Sequence, residues 1–343
     1  MERTSVGLFV EGFRLMRVAI DISPITRVFP SGVTRVVRAT LEALEARDDI
    51  SVVPIAPPDR GRLIAWRQTS LPRTVAAVRA DVLHSFTSAF TLRCSVPVVQ
   101  TVHEAPWQHG ARENAGPVHR LWVSAGKRWA AATCVPSIGV ADDLGAHPNL
   151  RVVSWGVSDR FTSTKDETDD LLRQAIPELP EGPYVLSLGN RQKKRLDRIC
   201  AGAELAKLPV VATGRVTPYA EAVRARSSSL TLLGEVEERF IPALVRASGC
   251  LAVLSKSEGF ALPVLEAMRS GRPVVTAART VQAKTAMGTA IEVDARDAGA
   301  VSRGLLMAIH ASPQHRLMTR AVAEDFTWER TADDLVRLWR SLA

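Results

Sequence analysis

Short apolar runs rich in β-branched residues alternate along the chain with longer stretches whose apolar positions recur at helical spacing. The helical pattern is clear in Thr34–Ala46, TRVVRATLEALEA, which lies between two such runs. Continuous apolar strands that alternate with amphipathic helices are typical of a doubly wound parallel sheet. In the first half of the chain the expected strands are Arg17–Ile22, Ile50–Ile55, Asp81–Phe86, Val96–Val102, Thr133–Pro136 and Val152–Trp155.

The alternation is interrupted at residues 158–182, which are polar and are broken by Pro177 and Pro180. We interpret this segment as a linker region with one short helix. The pattern then restarts, which predicts two Rossmann-like domains, residues 16–157 and 183–326. In the second half the expected strands are Tyr184–Leu188, Val210–Thr213, Leu230–Leu233, Cys250–Leu254, Val274–Thr276 and Ala290–Val293.

Two end segments fall outside these domains. Residues 1–15 are expected to be a tail or a start-site extension, because the first clear strand begins after Met16. Glu11 interrupts the apolar run that a signal peptide would need, so we do not expect a signal peptide. Residues 327–343 predict a closing amphipathic helix. The large apolar residues on or near one face of that helix are Trp328, Leu335, Leu338 and Trp339.

The chain is basic, with a net charge of +8 over 343 residues, and it is 46% hydrophobic. Basic proteins attract nucleic acid, anionic lipid or phosphorylated ligands. Here arginines such as Arg35 and Arg38 are spread along helices, which favours a solvated surface over nucleic-acid binding.

Four scattered cysteines suggest neither a zinc site nor disulfides. We interpret the cysteines as small buried residues in a reducing cytosol, and we expect a cytoplasmic protein. No apolar run approaches the about 18 residues of a membrane span, so we expect no membrane span.

The most informative stretch is Cys250–Ala277, which predicts a strand, a loop, a helix and a strand. Pro263 suits the first helical position, and Gly271 suits the residue that follows a helix, so the helix spans about Pro263–Ser270. A crossover of this kind joins parallel strands. The loop Ser255–Leu262 is therefore expected at the carboxyl edge of the sheet, where open α/β sheets bind ligands.

Two carboxylates, Glu258 and Glu266, bracket this loop and the helix start. Gly259 permits close approach of a ligand to the backbone, and free N–H groups near Ala261–Val264 favour a phosphate. A carboxylate accepts two hydrogen bonds from a vicinal diol, so the site suits a nucleotide sugar. The alternative is a helix with one favourably placed acidic residue.

A basic loop, Asn190–Arg195, follows the strand and glycine of Tyr184–Gly189. It carries four cations in six residues and is expected at the same sheet edge as Glu258. Cations there neutralise a diphosphate leaving group without a metal ion. The alternative is an exposed basic loop.

At this point the chain resembles the retaining family-4 glycosyltransferases. The residues that carry the resemblance are SEGFALPVLEAM followed by GRPVV, YVLSLGNRQKKRLDR, LLGEVEERFIPALVRAS and FTWERTADDL. The resemblance implies the GT-B fold, in which two Rossmann-like domains face each other across a cleft. It also implies that the closing helix crosses back onto the first domain.

Roles in donor binding follow from the resemblance. Glu258 would contact the donor sugar hydroxyls, and the backbone at Gly259, Phe260, Ala261 and Leu262 would lie beside the donor. All five belong to the loop that precedes the site helix.

Further implied roles concern the nucleotide. Glu266 would hold the ribose, and Arg191 and Lys194 would hold the diphosphate. This basic loop is one residue shorter than the family's usual form, so Lys193 is an alternative to Arg191 as the second cation.

The first domain contributes two candidates. Gly32 stands where a helix begins, in a loop that resembles the family's glycine-rich first loop, although a single glycine replaces the usual pair. Thr101–Glu104, TVHE, resembles the family's T-x-H-D and places His103 at a strand end facing the cleft. The alternative for His103 is a core-edge histidine bonded to backbone, and we interpret His84 as structural.

The helix near Val118–Ala131 carries Trp122, Trp129 and several cations. It suits either the surface of an anionic membrane, as a peripheral contact, or a helix that packs its tryptophans inward, which we favour.

The predicted function is transfer of a hexosyl group, mannose-, glucose- or rhamnose-like, from a nucleoside-diphosphate sugar to a glycan, lipid-linked or natural-product hydroxyl. The resemblance implies that the anomeric configuration is retained. The chain lacks an Asp-x-Asp motif, so no essential metal or other cofactor is expected. The alternatives are a glycoside hydrolase using Glu258 and Glu266, a nucleotide-sugar epimerase of the same fold, and a non-catalytic sugar-binding protein. The basic loop argues against the hydrolase.

Overall fold

The structure is a computed structural model that describes residues 15–27, 31–110 and 116–343. The expected tail therefore lies, except for Leu15, outside the described residues. Two parallel six-stranded sheets form the framework. Apolar strand residues such as Val18, Ile20 and Leu251 are fully buried, as expected of strands covered by helices on both faces. The predicted fold class is confirmed.

The first sheet has the strand order β2-β1-β3-β4-β5-β6, and the second has the order β12-β11-β10-β7-β8-β9. The strands are β1 (Met16–Asp21), β2 (Ile50–Ile55), β3 (Val82–Ser85), β4 (Val98–Thr101), β5 (Ala132–Val135), β6 (Leu150–Val152), β7 (Val185–Ser187), β8 (Val210–Thr213), β9 (Leu230–Gly234), β10 (Cys250–Val253), β11 (Val274–Ala277) and β12 (Ile291–Val293).

The described helices connect these strands or cover the two sheets. They are α1 (Ser23–Thr26), α2 (Ser31–Glu45), α3 (Leu63–Ala77), α4 (Pro117–Trp129), α5 (Ile138–Leu144), α6 (Glu167–Ala175), α7 (Leu196–Ala206), α8 (Pro218–Arg224), α9 (Ile241–Ala247), α10 (Leu262–Arg269), α11 (Val281–Thr285), α12 (Ala298–Ile309), α13 (Pro313–Glu324) and α14 (Trp328–Arg340). Short 3₁₀ turns lie at Pro106–His109, Gln192–Lys194 and Glu238–Phe240.

The strand order of the second sheet reverses between β7 and β10, which pair in parallel. At such a switch point the loops after the two strands diverge to opposite faces and leave a crevice at the carboxyl edge. The basic loop follows β7, and the acidic loop follows β10. Sheet topology therefore brings the two sequence-predicted loops to one place.

The strand expected at Val152–Trp155 is displaced in the structure, where β6 ends at Val152. Beyond it, Ser154 accepts a hydrogen bond from Thr331 Oγ1 at 2.8 Å, and the Val157 N–H donates to the Phe326 carbonyl at 2.9 Å. These residues thus bond to the segment at the start of α14 instead of extending the sheet edge.

Helix α14 packs against α2 of the first domain. Its side chain Trp339 is fully buried, and the indole Nε1 donates to His84 Nδ1 at 3.2 Å. Thr327 caps the helix by accepting from the Arg330 N–H at 3.2 Å. The residues at the end of the described chain therefore belong to the core of the domain at its beginning.

Helix α4 departs from the expectation that its tryptophans pack inward. Trp122 does so, with its ring edge-on to Phe90 at 5.6 Å between centroids. Trp129 is instead 58% exposed, and the Arg128 guanidinium lies 5.7 Å from its ring centroid.

In the described part of the chain, no helix has the length and apolar character needed to cross a bilayer.

Candidate functional site

An ion pair joins the basic and acidic loops at the switch point of the second sheet. Lys194 Nζ lies 2.6 Å from Glu258 Oε1, and both side chains are largely buried. The backbone reinforces this contact, because the Lys256 N–H donates to the Lys193 carbonyl at 3.0 Å. The two loops therefore form one charged surface at the sheet edge.

The charge of Glu258 is set by its surroundings. Burial alone would raise the pKa of this carboxyl. The positive charges of Lys194 and Lys193 outweigh that effect and hold the pKa below its usual value. Glu258 is therefore a carboxylate at neutral pH, and it can accept hydrogen bonds from hydroxyl groups.

The remaining cations of the basic loop take different positions. Lys193 turns toward the first domain, with Nζ 3.5 Å from Glu104 Oε2. Arg191 immediately precedes the 3₁₀ turn, and its side chain is exposed. Lys193 and Lys194 both lie beside Glu258, whereas Arg191 lies at the rim of the loop.

Gly259 lies at a close approach between the two domains. A Cβ atom at this position would lie 1.7 Å from the His103 carbonyl oxygen, so only glycine fits. Ser137 Oγ, from the first domain, donates to the Gly259 carbonyl at 2.8 Å. The loop that carries Glu258 is therefore in direct contact with the end of β4.

The start of α10 has fewer free donors than the sequence suggested. Ala261 adopts the left-handed conformation, with φ 59° and ψ 53°, and its carbonyl accepts from the Val264 N–H at 2.8 Å. Pro263 has no N–H. Of the residues Ala261–Val264, only Ala261 and Leu262 therefore keep amides that can point toward a ligand, which corrects the expected set.

Phe260 is held inside the protein. Its carbonyl accepts from Thr285 Oγ1 at 2.8 Å, and its ring lies edge-on to Phe326 at 5.9 Å. These contacts fix the left-handed turn that follows and so direct the Leu262 amide.

Glu266 is buried on α10 and pairs with a residue of the other domain. Arg35 Nη2 on α2 lies 2.7 Å from Glu266 Oε1. Burial raises the pKa of Glu266, and Arg35 only partly opposes this shift. The expectation that Arg35 belongs to a solvated surface is wrong, because its guanidinium faces the cleft.

His103 is half-buried, two residues beyond the end of β4. Its Nε2 lies 2.9 Å from the Phe86 carbonyl, so Nε2 carries the proton and Nδ1 is left as an acceptor. Burial lowers the pKa of His103 below its usual value, so the ring is neutral at pH 7. This bond to backbone is the one expected of a core-edge histidine, although the His103 carbonyl touches Gly259 in the cleft.

Gly32 lies in the first turn of α2, where it is exposed, and a Cβ atom at this position would meet no other atom within 4 Å. The protein itself does not require glycine there. A role in approaching a phosphate remains a prediction.

Three residues of this region were not among the predicted site residues. Arg35 comes three positions after Gly32, Glu104 follows His103, and Ser137 caps α5 by accepting from the Val140 N–H. Glu104 lies within the TVHE segment and so had a sequence signal. Among described residues, no group of three or more His, Cys, Asp or Glu side chains is arranged to hold a metal ion.

Comparison with known proteins finds a family match in the second half of the chain. Residues 160–310 match the family model described as glycosyl transferases group 1. The chain is 28% identical over 120 residues to the O-antigen chain mannosyltransferase B of Escherichia coli, across 34% of this chain and 32% of that protein. It is 34% identical over 106 residues to the D-inositol 3-phosphate glycosyltransferase of Salinispora tropica, across 29% and 22%. The matched region thus spans about a third or less of these relatives.

Solved structures match nearly the whole chain. Sucrose-phosphate synthase from Thermosynechococcus elongatus matches with a TM-score of 0.73 and 16% identity, over 96% of this chain and 99% of that chain. HepE from Anabaena, solved with UDP and glucose, matches with a TM-score of 0.70 and 16% identity, over 96% and 100%. These similarities confirm the predicted two-domain fold.

Proposed function

We propose that this chain, whose residues 160–310 match the group 1 glycosyl transferases and which has the GT-B fold, is a glycosyltransferase. It transfers a hexosyl group from a nucleoside-diphosphate sugar. The acceptor is a hydroxyl of a glycan, a lipid-linked sugar or a natural product, and the anomeric configuration is retained. The observation that carries the proposal is the Lys194–Glu258 pair at the switch point, beside the start of α10.

The donor class is supported by charge. Lys194 supplies one cation for the diphosphate, and either Arg191 or Lys193 supplies the second. The Leu262 amide at the α10 N-terminus donates a hydrogen bond to the same group. Glu258, held ionised, accepts hydrogen bonds from the donor sugar hydroxyls. HepE, which shares the fold, was solved with UDP and glucose, in keeping with a uridine or related nucleotide as donor.

Ribose recognition falls to Glu266. One carboxylate oxygen, Oε1, is engaged by Arg35 in this structure. A ribose diol would share the carboxylate with Arg35 or displace it, so donor binding is linked to the contact between the two domains.

The chemistry needs no enzymatic nucleophile. The bond from the anomeric carbon to the diphosphate oxygen breaks while the acceptor oxygen bonds to that carbon on the same face. The acceptor proton passes to the departing phosphate oxygen. Lys194 and the α10 amides stabilise the negative charge that develops there, and closure of the domains excludes water. These groups make a metal ion unnecessary, so activity should survive EDTA.

The first domain would shape the acceptor side. His103 is neutral and sits where the first domain touches Gly259, so its ring suits a hydrogen bond to a sugar hydroxyl rather than an ionic role.

A peripheral contact with an anionic membrane is part of the proposal, at the cytoplasmic face. Helix α4 exposes Val118, Leu121 and Trp129, and beside them lie the exposed cations Arg120 and Arg128. Apolar side chains flanked by cations are the pattern of interfacial helices. Flotation with vesicles containing phosphatidylglycerol, compared with neutral vesicles, tests this contact with Trp129→Ser as the variant.

The first test of the proposal is a thermal-shift panel of UDP, GDP, ADP and dTDP, since a ligand of the native state raises Tm. One nucleotide should give a clear shift, and Lys194→Ala should weaken its binding by about tenfold or more, because a charge-assisted hydrogen bond is lost. Lys256→Ala is the matched control, since its exposed side chain precedes the site by two residues.

The second test is transfer itself. The donor sugar of the nucleotide so identified should be transferred to an acceptor with release of that nucleotide, and NMR of the product should show retained configuration. Release of free sugar without nucleotide would instead indicate a hydrolase, and acceptor-free isomerisation would indicate an epimerase. Nucleotide binding that Lys194→Ala leaves unchanged would remove the proposal.

A further inference from the structure

A cavity of about 540 Å³ lies between the linker region and the second domain, away from the carboxyl edge of the sheet. We call it the linker cavity. Its lining includes Tyr184 at the start of β7 and residues of α6 and α9, which pack together. The charged residues of its lining are Lys165, Asp169, Asp170, Arg173, Arg246 and Arg272.

The lining carries four cations and two carboxylates. One cation is already neutralised, because buried Arg246 places Nη2 2.6 Å from Asp169 Oδ2 and 2.9 Å from Asp166 Oδ2. Arg246, Asp166 and Asp169 together carry one net negative charge, which with Asp170 offsets two of the three remaining cations, Lys165, Arg173 and Arg272. The linker cavity is therefore electropositive.

Arg272 gives a second, independent observation. Its backbone is fixed, because its N–H donates to the Ala267 carbonyl at 2.8 Å. The side-chain Nε is buried and has no hydrogen-bond partner among the residues that the structure describes. Burial, then the nearby charge of Arg316, lowers the pKa of Arg272. A buried donor that lacks an acceptor is destabilising, and an anion would supply the acceptor.

We propose that the linker cavity binds a small phosphate-bearing anion. Phosphate oxygens accept paired hydrogen bonds from guanidinium groups, which Arg272 and Arg173 present, and Lys165 adds a mobile positive charge. The volume exceeds that of one phosphate group, so a phosphate ester of a small sugar also fits. The site uses none of the residues assigned to the donor.

The experiment measures Tm in sodium phosphate and in glucose 6-phosphate, each against sodium chloride at equal ionic strength. Wild-type protein should gain about 2–4 °C at saturation with at least one probe. Because the donor site also attracts phosphate, the same series is run on Lys194→Ala, which should keep the gain. Arg272→Gln should abolish it, and Arg303→Gln, an exposed arginine on α12, is the control.

Because Arg272→Gln could fail to fold, substitutions at two exposed positions of the lining provide a second test. Lys165→Gln and Arg173→Gln leave the buried pairs intact, and each should reduce the gain. A larger gain with glucose 6-phosphate supports an ester as the ligand, and an equal gain supports inorganic phosphate. No gain with either probe, or a gain that Lys194→Ala alone removes, would overturn the proposal.

Discussion

Arg35 on α2 and Glu266 on α10 lie 2.7 Å apart across the cleft and join the two domains through a carboxylate that is itself buried. Removing Arg35 would leave this buried carboxylate without its partner, which is unfavourable because its charge remains desolvated. The pair therefore favours contact between the domains when no donor is bound. Under the proposed function, the ribose of the donor would hydrogen-bond to the Glu266 carboxylate, and the positive charge of Arg35 would help keep that carboxylate ionised.

Arg35→Gln tests that relationship. Burial already raises the pKa of Glu266, and loss of Arg35 raises it further, so the carboxylate becomes protonated as pH falls. As pH is lowered from 8 to 6, the variant should lose more nucleotide affinity than wild type, because a charged acceptor is lost. Isothermal titration at both pH values measures this. Arg38→Gln, on the exposed face of α2, should behave as wild type, and identical pH dependence in both variants would exclude the role.

Glu258→Gln separates turnover from binding. The amide keeps the shape of the side chain but removes the charge that pairs with Lys194. We expect nucleotide affinity to change by less than about threefold, whereas kcat falls about a hundredfold, since the lost interactions concern the donor sugar. Steady-state kinetics with the identified donor decides this, and a kcat near that of wild type would make the ion pair structural.

Gly259→Ala tests the contact between the domains. The added methyl would meet the His103 carbonyl at 1.7 Å, and neither backbone can yield without separating the loop from the first domain. Activity should fall about a hundredfold, because misplacement by about 1 Å has effects of this size. Circular dichroism should remain that of a folded protein. Gly116→Ala, where a methyl meets no atom within 4 Å, is the control, and equal activity in the two variants would contradict the prediction.

Buried His84 makes stability sensitive to acid. Burial, then repulsion from the neighbouring His103 ring once that ring is protonated, lowers the pKa of His84 to about 3, and Nδ1 must stay unprotonated to accept from Trp339. The unfolded chain takes up this proton near pH 6.5, whereas the folded chain does not. The free energy of unfolding should therefore fall as pH drops from about 6.5 toward 3, by up to about 1.4 kcal/mol per pH unit from this group.

Urea denaturation between pH 7 and pH 5 measures that slope. His84→Gln removes the titrating group and should flatten the slope, even though the variant starts from lower stability. His310→Gln, at an exposed position after α12, should leave the slope unchanged. Equal slopes in His84→Gln and wild type would show that His84 is not the group responsible.

Much of the framework could be predicted because it depends on local signals. Apolar β-branched runs identified the strands, and Pro263 and Gly271 located α10 to within a residue at either end. The loops after β7 and β10 were expected at one edge because parallel strands share a carboxyl end. Their contact through Lys194 and Glu258 follows from that topology.

What could not be predicted depends on how distant segments meet. Arg35 and Arg38 look alike in sequence, and only the position of α10 distinguishes the arginine that faces the cleft. The early end of β6 has the same origin, because Ser154 bonds to Thr331 rather than to a neighbouring strand. The free amides at α10 were overestimated because the left-handed turn at Ala261 lets Val264 bond internally.

The placement of α14 has a consequence for biosynthesis. Trp339 and Leu335, both fully buried, complete a core whose other members include Val18 and Phe86, which are translated before the second domain. A nascent chain emerging from the ribosome therefore carries an unfinished first domain while the second is being made. We expect protection of that domain from protease to appear only after release of residues 328–340, so that the order of synthesis and the order of folding differ.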